Sequence, residues 1–480
     1  MESCHKPHLR RKLGEEALYR RKDMILGPGV NIYRTPLGGR NFEYMGEDPY
    51  LASRMVVPYI QGMQSKGVAA CVKHFALNND EEYRHQVNVI VDDRALHEIY
   101  LPAFKAAVTE AGVWGIMGAY NMYKNQHNCH NQWLLNDILK GQWRFDGVVV
   151  SDWGGAHDTR QAVENGLDME FGTWTDGLAF GTSDAYDNYY LASPYRKLIQ
   201  DGTYTEKELN DKVRRVLRLF FRTNMNRNRP LGSLCSEAHY DAARKIAAEG
   251  IVLLQNKGRV LPIDTLKARR VLVVGENAIK MMTVGGGSSS LKAQHEELPL
   301  DGLKACLEGM NIEVDYARGY VGDITGEYNG VTTGQQLADS RSPEELIAEA
   351  VDKARKADYV VFFGGLNKSD YQDAEGHDRK SFALPYDQDK VVEALAKANK
   401  RLIFVNISGN AVAMPWKSSV PAIVQGWFLG STAGHALADV LTGRTNVGQT
   451  AIHMAGIAQR CGCAQAQHIS RNMALRQENH

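Results

Sequence analysis

Between Asp23 and Phe171 short apolar runs alternate with amphipathic stretches, the pattern of βα units around a parallel sheet. The runs Met24–Leu26, Ala69–Val72, Val87–Val91, Gly115–Gly118, Gly147–Ser151 and Leu167–Glu170 read as strands, and most of them end on a polar or reactive residue. Helical spacing is clear in Leu96–Ala111 and in Glu206–Phe221, where Leu209, Val213, Val216, Leu217 and Phe220 share one face. A closed (β/α)8-type barrel needs more strands than these. The pattern therefore predicts an α/β barrel that is N-terminally incomplete, or one of a reduced kind.

The stretch Asn224–Ser233 is polar with Pro and Gly and reads as a linker. A second α/β pattern follows: a helix at Ala242–Ala248, then strands at Ile251–Leu254, Val271–Val274, Tyr359–Phe363, Leu402–Val405 and Ala422–Val424 with helices between. This predicts an open α/β sandwich domain, whose ligands would sit at the carboxyl ends of the strands. The expected layout is a barrel over 1–225, a linker over 226–240, the sandwich over 241–449 and an irregular tail over 450–480. The run Gly285–Ser290 lacks a Walker lysine and GxGxxG spacing, so it reads as a flexible loop overhanging a neighbouring site rather than a phosphate cradle.

Composition narrows the function classes. The 480 residues are 44% hydrophobic, ample for two cores, and 56 basic residues balance 56 acidic ones. That balance disfavours a nucleic-acid partner, and no apolar run reaches membrane-span length. Seven scattered cysteines lack framework spacing, which argues against a disulfide scaffold. Met1–Arg21 is basic and polar, without the apolar core of a signal peptide.

Three clusters carry chemistry. In Phe145–Gly155 a β-branched run ends at Asp152, followed by Trp153 and two glycines. A carboxylate at the upper end of a barrel strand, beside an indole that can stack on a sugar ring, suits a glycosidase nucleophile; the plainer reading is a helix cap. Lys73-His74 ends the Ala69–Val72 run, with Asn78, Asn79, Glu81 and Arg84 close behind, a dense donor array of the kind that sugar hydroxyls call for. Gln372–Arg379 places Glu375 in an acidic, loop-like stretch that suits either a general acid on a flexible arm or plain solvated surface.

These residues resemble glycoside hydrolase family 3, in its two-domain β-glucosidase and β-xylosidase form. The likeness runs from about Leu13 to about Asn446 through Gly27-Pro28-Gly29-Val30-Asn31-Ile32, Gly39–Pro49, Lys73-His74-Phe75, Met117–Asn121, Ser151-Asp152-Trp153, Glu375–Arg379 and Met414-Pro415-Trp416. It implies retaining, exo-acting hydrolysis with Asp152 as nucleophile and Glu375 as acid/base, and no metal or organic cofactor. Arg40, Lys73, His74, Tyr120 and Trp153 would line the subsite for the terminal sugar, joined by Met117 and Arg84; Trp416 is a further candidate for stacking. Asp152 would be kept ionised by donors such as Lys73 and Arg40, and Glu375 would be protonated through burial. The two carboxyls would meet at the interface of the two domains, roughly 5–5.5 Å apart.

The implied partner is a β-linked gluco-oligosaccharide or aryl glucoside, in a chain that could self-associate. Alternatives are a β-xylosidase or α-arabinofuranosidase of the same family, or a catalytically impaired sugar-binding fragment. Ala76–Asn79 disfavours the N-acetylglucosamine branch. Met1–Lys12 and Thr450–His480 depart from the family pattern, so the chain reads as truncated at both ends, and the family favours a periplasmic or secreted location.

Overall fold

The computed structural model describes residues 7–172, 185–322, 327–328 and 330–446. They cluster into two compact units. One takes the chain up to Thr35 together with Glu43–His239; the other takes Pro36–Phe42 and the chain from Tyr240 onward. The expected tail at 450–480 lies outside the described residues.

The first unit is a barrel-like α/β domain. Its sheet is parallel, in the order β1 (Met24–Ile25), β2 (Ala69–Phe75), β3 (Gly115–Gly118) and β4 (Val148–Val150). In β2 every residue but Lys73 is buried, as expected where both faces are covered. The pairing of β2 with β3 shifts register between Val72 and Phe75. Such an irregularity re-aims side chains, and here it falls on Lys73 and His74. Helix Pro49–Gln64 packs Ala52, Val56, Ile60 and Met63 into this core, and Asp48 caps it by accepting from the amides of Tyr50 and Leu51.

Two strand expectations need correction. Val87–Val91 supplies no barrel strand: Asn88–Val89 pairs with Met122–Tyr123 in a small separate sheet, and Ile90 is 89% exposed. Leu167–Glu170 contributes one bridge, Val150 to Met169. The expected helix Leu96–Ala111 is broken at Pro102, whose ring cannot continue the hydrogen-bond ladder, into Leu96–Tyr100 and Pro102–Thr109.

Below Asp152, strand β4 is tied down by charge. Asp168 accepts from the amide of Val149 at 2.8 Å and from Lys140 at 2.8 Å. Lys212, on helix Glu206–Arg222, donates to the carbonyls of Ala162, Val163 and Leu167, and burial pushes its pKa down to about 8.

The second unit is an open six-stranded sheet: β5 (Val252–Asn256), β6 (Arg270–Val274), β7 (Glu313–Ala317), β8 (Tyr359–Gly365), β9 (Leu402–Ile407) and β10 (Ala422–Gln425), in the order β7-β6-β8-β9-β10-β5. All neighbours are parallel except β5, which runs antiparallel to β10. Successive side chains feed opposite layers: Val271, Val273, Val361 and Phe363 pack on one face, Leu272, Val274, Val360 and Phe362 on the other. Trp416 belongs to that second layer. It is 3% exposed, its ring centre lies 4.5 Å from that of Phe404 at a tilt of 56°, and it donates to Asp389, so its expected sugar-stacking role gives way to a core one.

Candidate active site

Asp152 stands just beyond β4, on a turn held from two sides. The amide of Ser151 donates to Met169 O at 2.9 Å, Ser151 Oγ accepts from the amide of Phe171 at 2.8 Å, and Gly154, at φ 75°, donates to Phe171 O. That left-handed conformation is where glycine is favoured. Asp152 is 7% exposed, and its Oδ1 accepts from the Trp153 amide at 2.7 Å. The helix that follows is capped by Asp158, which accepts from the Gln161 amide, so capping does not account for Asp152. Trp153 is 47% exposed, with its ring 5.3 Å from Phe171.

His74 Nε2 lies 3.5 Å from Asp152 Oδ2. The His74 main chain is gripped by Asn31, whose Oδ1 accepts from the His74 amide at 2.8 Å and whose Nδ2 donates to the His74 carbonyl at 3.0 Å. Lys73 lies 3.7 Å from Glu43, and the next pair along, Tyr44 and His74, meet at 3.0 Å between Oη and Nδ1. Met117 is buried between Cys71 and Val150 in the sheet interior. Tyr120 lies under Arg84, whose guanidinium is 4.9 Å from the ring centre, and beside His85 at 4.3 Å. Arg84 also pairs with Glu81 at 2.8 Å. Burial pushes the Cys71 thiol up to about 12, with Asp152 adding to the rise and Lys73 opposing it; Cys129 is raised mainly by burial too. Both thiols therefore stay protonated at neutral pH.

The second unit holds Glu375, ten residues beyond β8. Its amide donates to Gly286 O at 3.1 Å, and its Oε2 accepts from Ser288 N at 2.8 Å and Ser288 Oγ at 2.5 Å. The Gly285–Ser290 run is therefore bonded to Glu375, a tighter role than the overhanging loop expected from sequence. Arg40 Nη1 lies 3.6 Å from Glu375 Oε1. Arg40 belongs to this unit because Pro36–Phe42 is stitched into it: the Gly39 amide donates to Asp378, the Arg379 amide to Leu37 O, and Asn41 to Asn410.

The acidic stretch around Glu375 is not a solvated surface. Asp373 is fully buried, accepting from the Gly409 amide at 2.8 Å and Asn410 Nδ2 at 2.7 Å. Burial pushes its pKa up to about 6, against the pull of Arg379.

Residues 9–219 match the profile of the glycosyl hydrolase family 3 N terminal domain, and residues 251–468 that of the family 3 C-terminal domain. The chain belongs to glycoside hydrolase family 3. Beta-glucosidase BoGH3A of Bacteroides ovatus is 54% identical over 90% of this chain and 57% of its own length. An exo-alpha-(1->6)-L-arabinopyranosidase of Bifidobacterium longum is 34% identical over 93% of this chain and 56% of its own length. The crystal structure of a Bifidobacterium adolescentis GH3 beta-glucosidase superposes with a TM-score of 0.78 at 34% identity, over 92% of this chain and 60% of the other. A Kluyveromyces marxianus beta-glucosidase in complex with glucose gives 0.78 at 28% identity, over 92% and 69%. The chain spans a little over half the length of these curated relatives.

Several contacts of this family 3 chain escape sequence reasoning. Asn31 and Tyr44 lie inside quoted motifs and Ser288 inside the Gly285–Ser290 run, but no local pattern names their partners, which lie 43, 30 and 87 positions away. Glu43 and Gly39 fall inside a recognisable motif, which flags the stretch but not the partner.

Proposed function

We propose that this chain catalyses the retaining, exo-acting hydrolysis of β-D-glucosides, with Asp152 as nucleophile and Glu375 as acid/base. The observation that carries the reading is the setting of Asp152: a nearly buried carboxylate at the end of a barrel-type strand, fixed through one oxygen by the Trp153 amide and facing His74 with the other. In the first step Asp152 attacks the anomeric carbon, the bond to the leaving oxygen breaks, and Glu375 gives that oxygen its proton. In the second, Glu375 takes a proton from water, water displaces the Asp152 ester at the same carbon, and the sugar leaves with its original β configuration. Arg40, Lys73, His74, Tyr120, Trp153, Met117 and Arg84 are proposed to shape the terminal-sugar subsite.

Glucose is favoured by the 54% identity to a protein named as a beta-glucosidase. The arabinopyranosidase at 34% identity makes the sugar itself the variable to test. Assay of the purified chain on a panel of p-nitrophenyl β-glucoside, β-xyloside, α-L-arabinofuranoside and α-L-arabinopyranoside addresses both points. Fastest release from the β-glucoside is expected. Faster release from another member would replace the sugar, and no release from any would leave a sugar-binding role.

A further inference from the structure

Five residues of the first unit, each no more than 8% exposed, form a polar line that ends at the proposed nucleophile. Glu81, held by Arg84 at 2.8 Å, has its Oε1 3.4 Å from Asn78 Nδ2. The same Asn78 nitrogen lies 3.0 Å from Tyr44 Oη, Tyr44 Oη lies 3.0 Å from His74 Nδ1, and His74 Nε2 lies 3.5 Å from Asp152 Oδ2.

The chemistry of the two ends fixes the direction of the protons between them. A carboxylate only accepts hydrogen bonds. Glu81 therefore turns the NH2 group of Asn78, not its carbonyl, towards itself and Tyr44. The phenol oxygen accepts from Asn78, and its own proton is directed to the next acceptor along, His74 Nδ1. At the far end an ionised Asp152 requires an N–H on His74 Nε2, because a bare ring nitrogen would set lone pair against lone pair. Both demands are met by one state of the ring: neutral, with the proton on Nε2 and Nδ1 accepting.

The main chain of His74 is already clamped by Asn31 on both its amide and its carbonyl. What remains to be set is the ring, and Tyr44 is the group placed to set it. We infer that Tyr44 is a positioning residue that holds His74 as the Nε2–H tautomer facing Asp152, with Asn78 and Glu81 giving the line its polarity. The tautomer rests on an ionised Asp152 and on Tyr44 donating to Nδ1 across the distances above; its bearing on turnover rests further on the reading of Asp152 as nucleophile.

The test is long-range 1H–15N spectroscopy of the whole chain labelled at histidine, with the His74 signals identified by their loss in His74→Gln. At pH 7 the wild-type ring should show a protonated Nε2 and a bare Nδ1. Tyr44→Phe, which keeps the ring and removes the donor, should shift the Nδ1 signal towards a mixture of tautomers, and Glu81→Gln should do so more weakly. In parallel, Tyr44→Phe should lower kcat on an aryl β-glucoside about tenfold while KM stays within a few-fold, the mark of a contact that matters in the transition state. A wild-type His74 with its proton on Nδ1 or on both nitrogens overturns the inference, and so does a Tyr44→Phe chain with unchanged His74 signals. If no glycoside is cleaved, the spectra still decide the tautomer, and only its link to turnover falls.

Discussion

Gly287 and Glu375 are packed so closely that no side chain fits between them: a Cβ on Gly287 would come within 2.3 Å of Glu375 Cβ and 2.9 Å of its Oε2. Gly287 also sits at φ 95°, outside the range that other residues adopt readily. Gly287→Ala should therefore displace Glu375 without touching the chemistry of its carboxyl group. A misplacement of about 1 Å costs on the order of 10²-fold in turnover. The loss should be larger for aryl glucosides with poor leaving groups, which need a well-placed acid, than for good ones. Equal loss on both would show that the loop does something other than hold Glu375.

Glu375→Ala should make turnover depend on the leaving group. Dinitrophenolate departs without a proton, so the first step should survive on that substrate, and added azide should speed the second by replacing base-activated water. Kinetics on two aryl glucosides, with and without azide, check this. Uniform loss with no azide effect would assign the acid/base role elsewhere.

Asp152→Asn should lower turnover by at least ~10³-fold, as loss of one member of a catalytic unit does, with the thermal melt of the chain little changed. Near-normal activity, with deamidation back to Asp excluded by mass, would remove Asp152 from the mechanism.

Asp373 gives the second unit a pH signature. Its folded pKa, raised by burial to about 6, lies above the ordinary carboxylate value of 3.8. The folded chain therefore holds the proton more tightly than the unfolded one, and this group adds stability as pH falls from about 6 towards 3.8 and withdraws it as pH rises. The full span is about 3 kcal/mol at most. Denaturant unfolding of wild type and Asp373→Asn at pH 5 and pH 7 checks it. Whatever the offset from altered hydrogen bonding, the variant should gain on wild type between pH 5 and pH 7; a difference independent of pH would contradict the burial of an ionisable Asp373.

The strands that carry the site were legible because they are short, fully apolar and end in polar residues. Val148–Val150 followed by Ser151-Asp152 is such a case, and five of the six strands of the second sheet were read near their observed places. Glu313–Ala317 was not: this edge strand sets Glu313 and Asp315 among its apolar residues and is half-buried over most of its length, so it shows no apolar run. Val87–Val91 failed in the opposite way, since β-branched residues mark a strand but not its burial, and Ile90 faces solvent. The acidic run around Glu375 hid a buried Asp373, because composition does not report the Gly409 and Asn410 donors that satisfy it. The line from Glu81 to Asp152 depends on contacts between distant segments, and no local pattern encodes those.

The covalent ester on Asp152 is the centre of the proposed chemistry, and it can be caught. A 2,4-dinitrophenyl 2-deoxy-2-fluoro-β-D-glucoside keeps a leaving group that needs no proton, while the fluorine disfavours the oxocarbenium-like transition states of both steps. The ester should accumulate. After digestion, mass spectrometry should find one fluoroglucosyl group on the peptide containing Asp152, with no such label in Asp152→Asn. A label on any other residue, or steady hydrolysis of ordinary aryl glucosides to the inverted sugar with no labelled peptide, would contradict it.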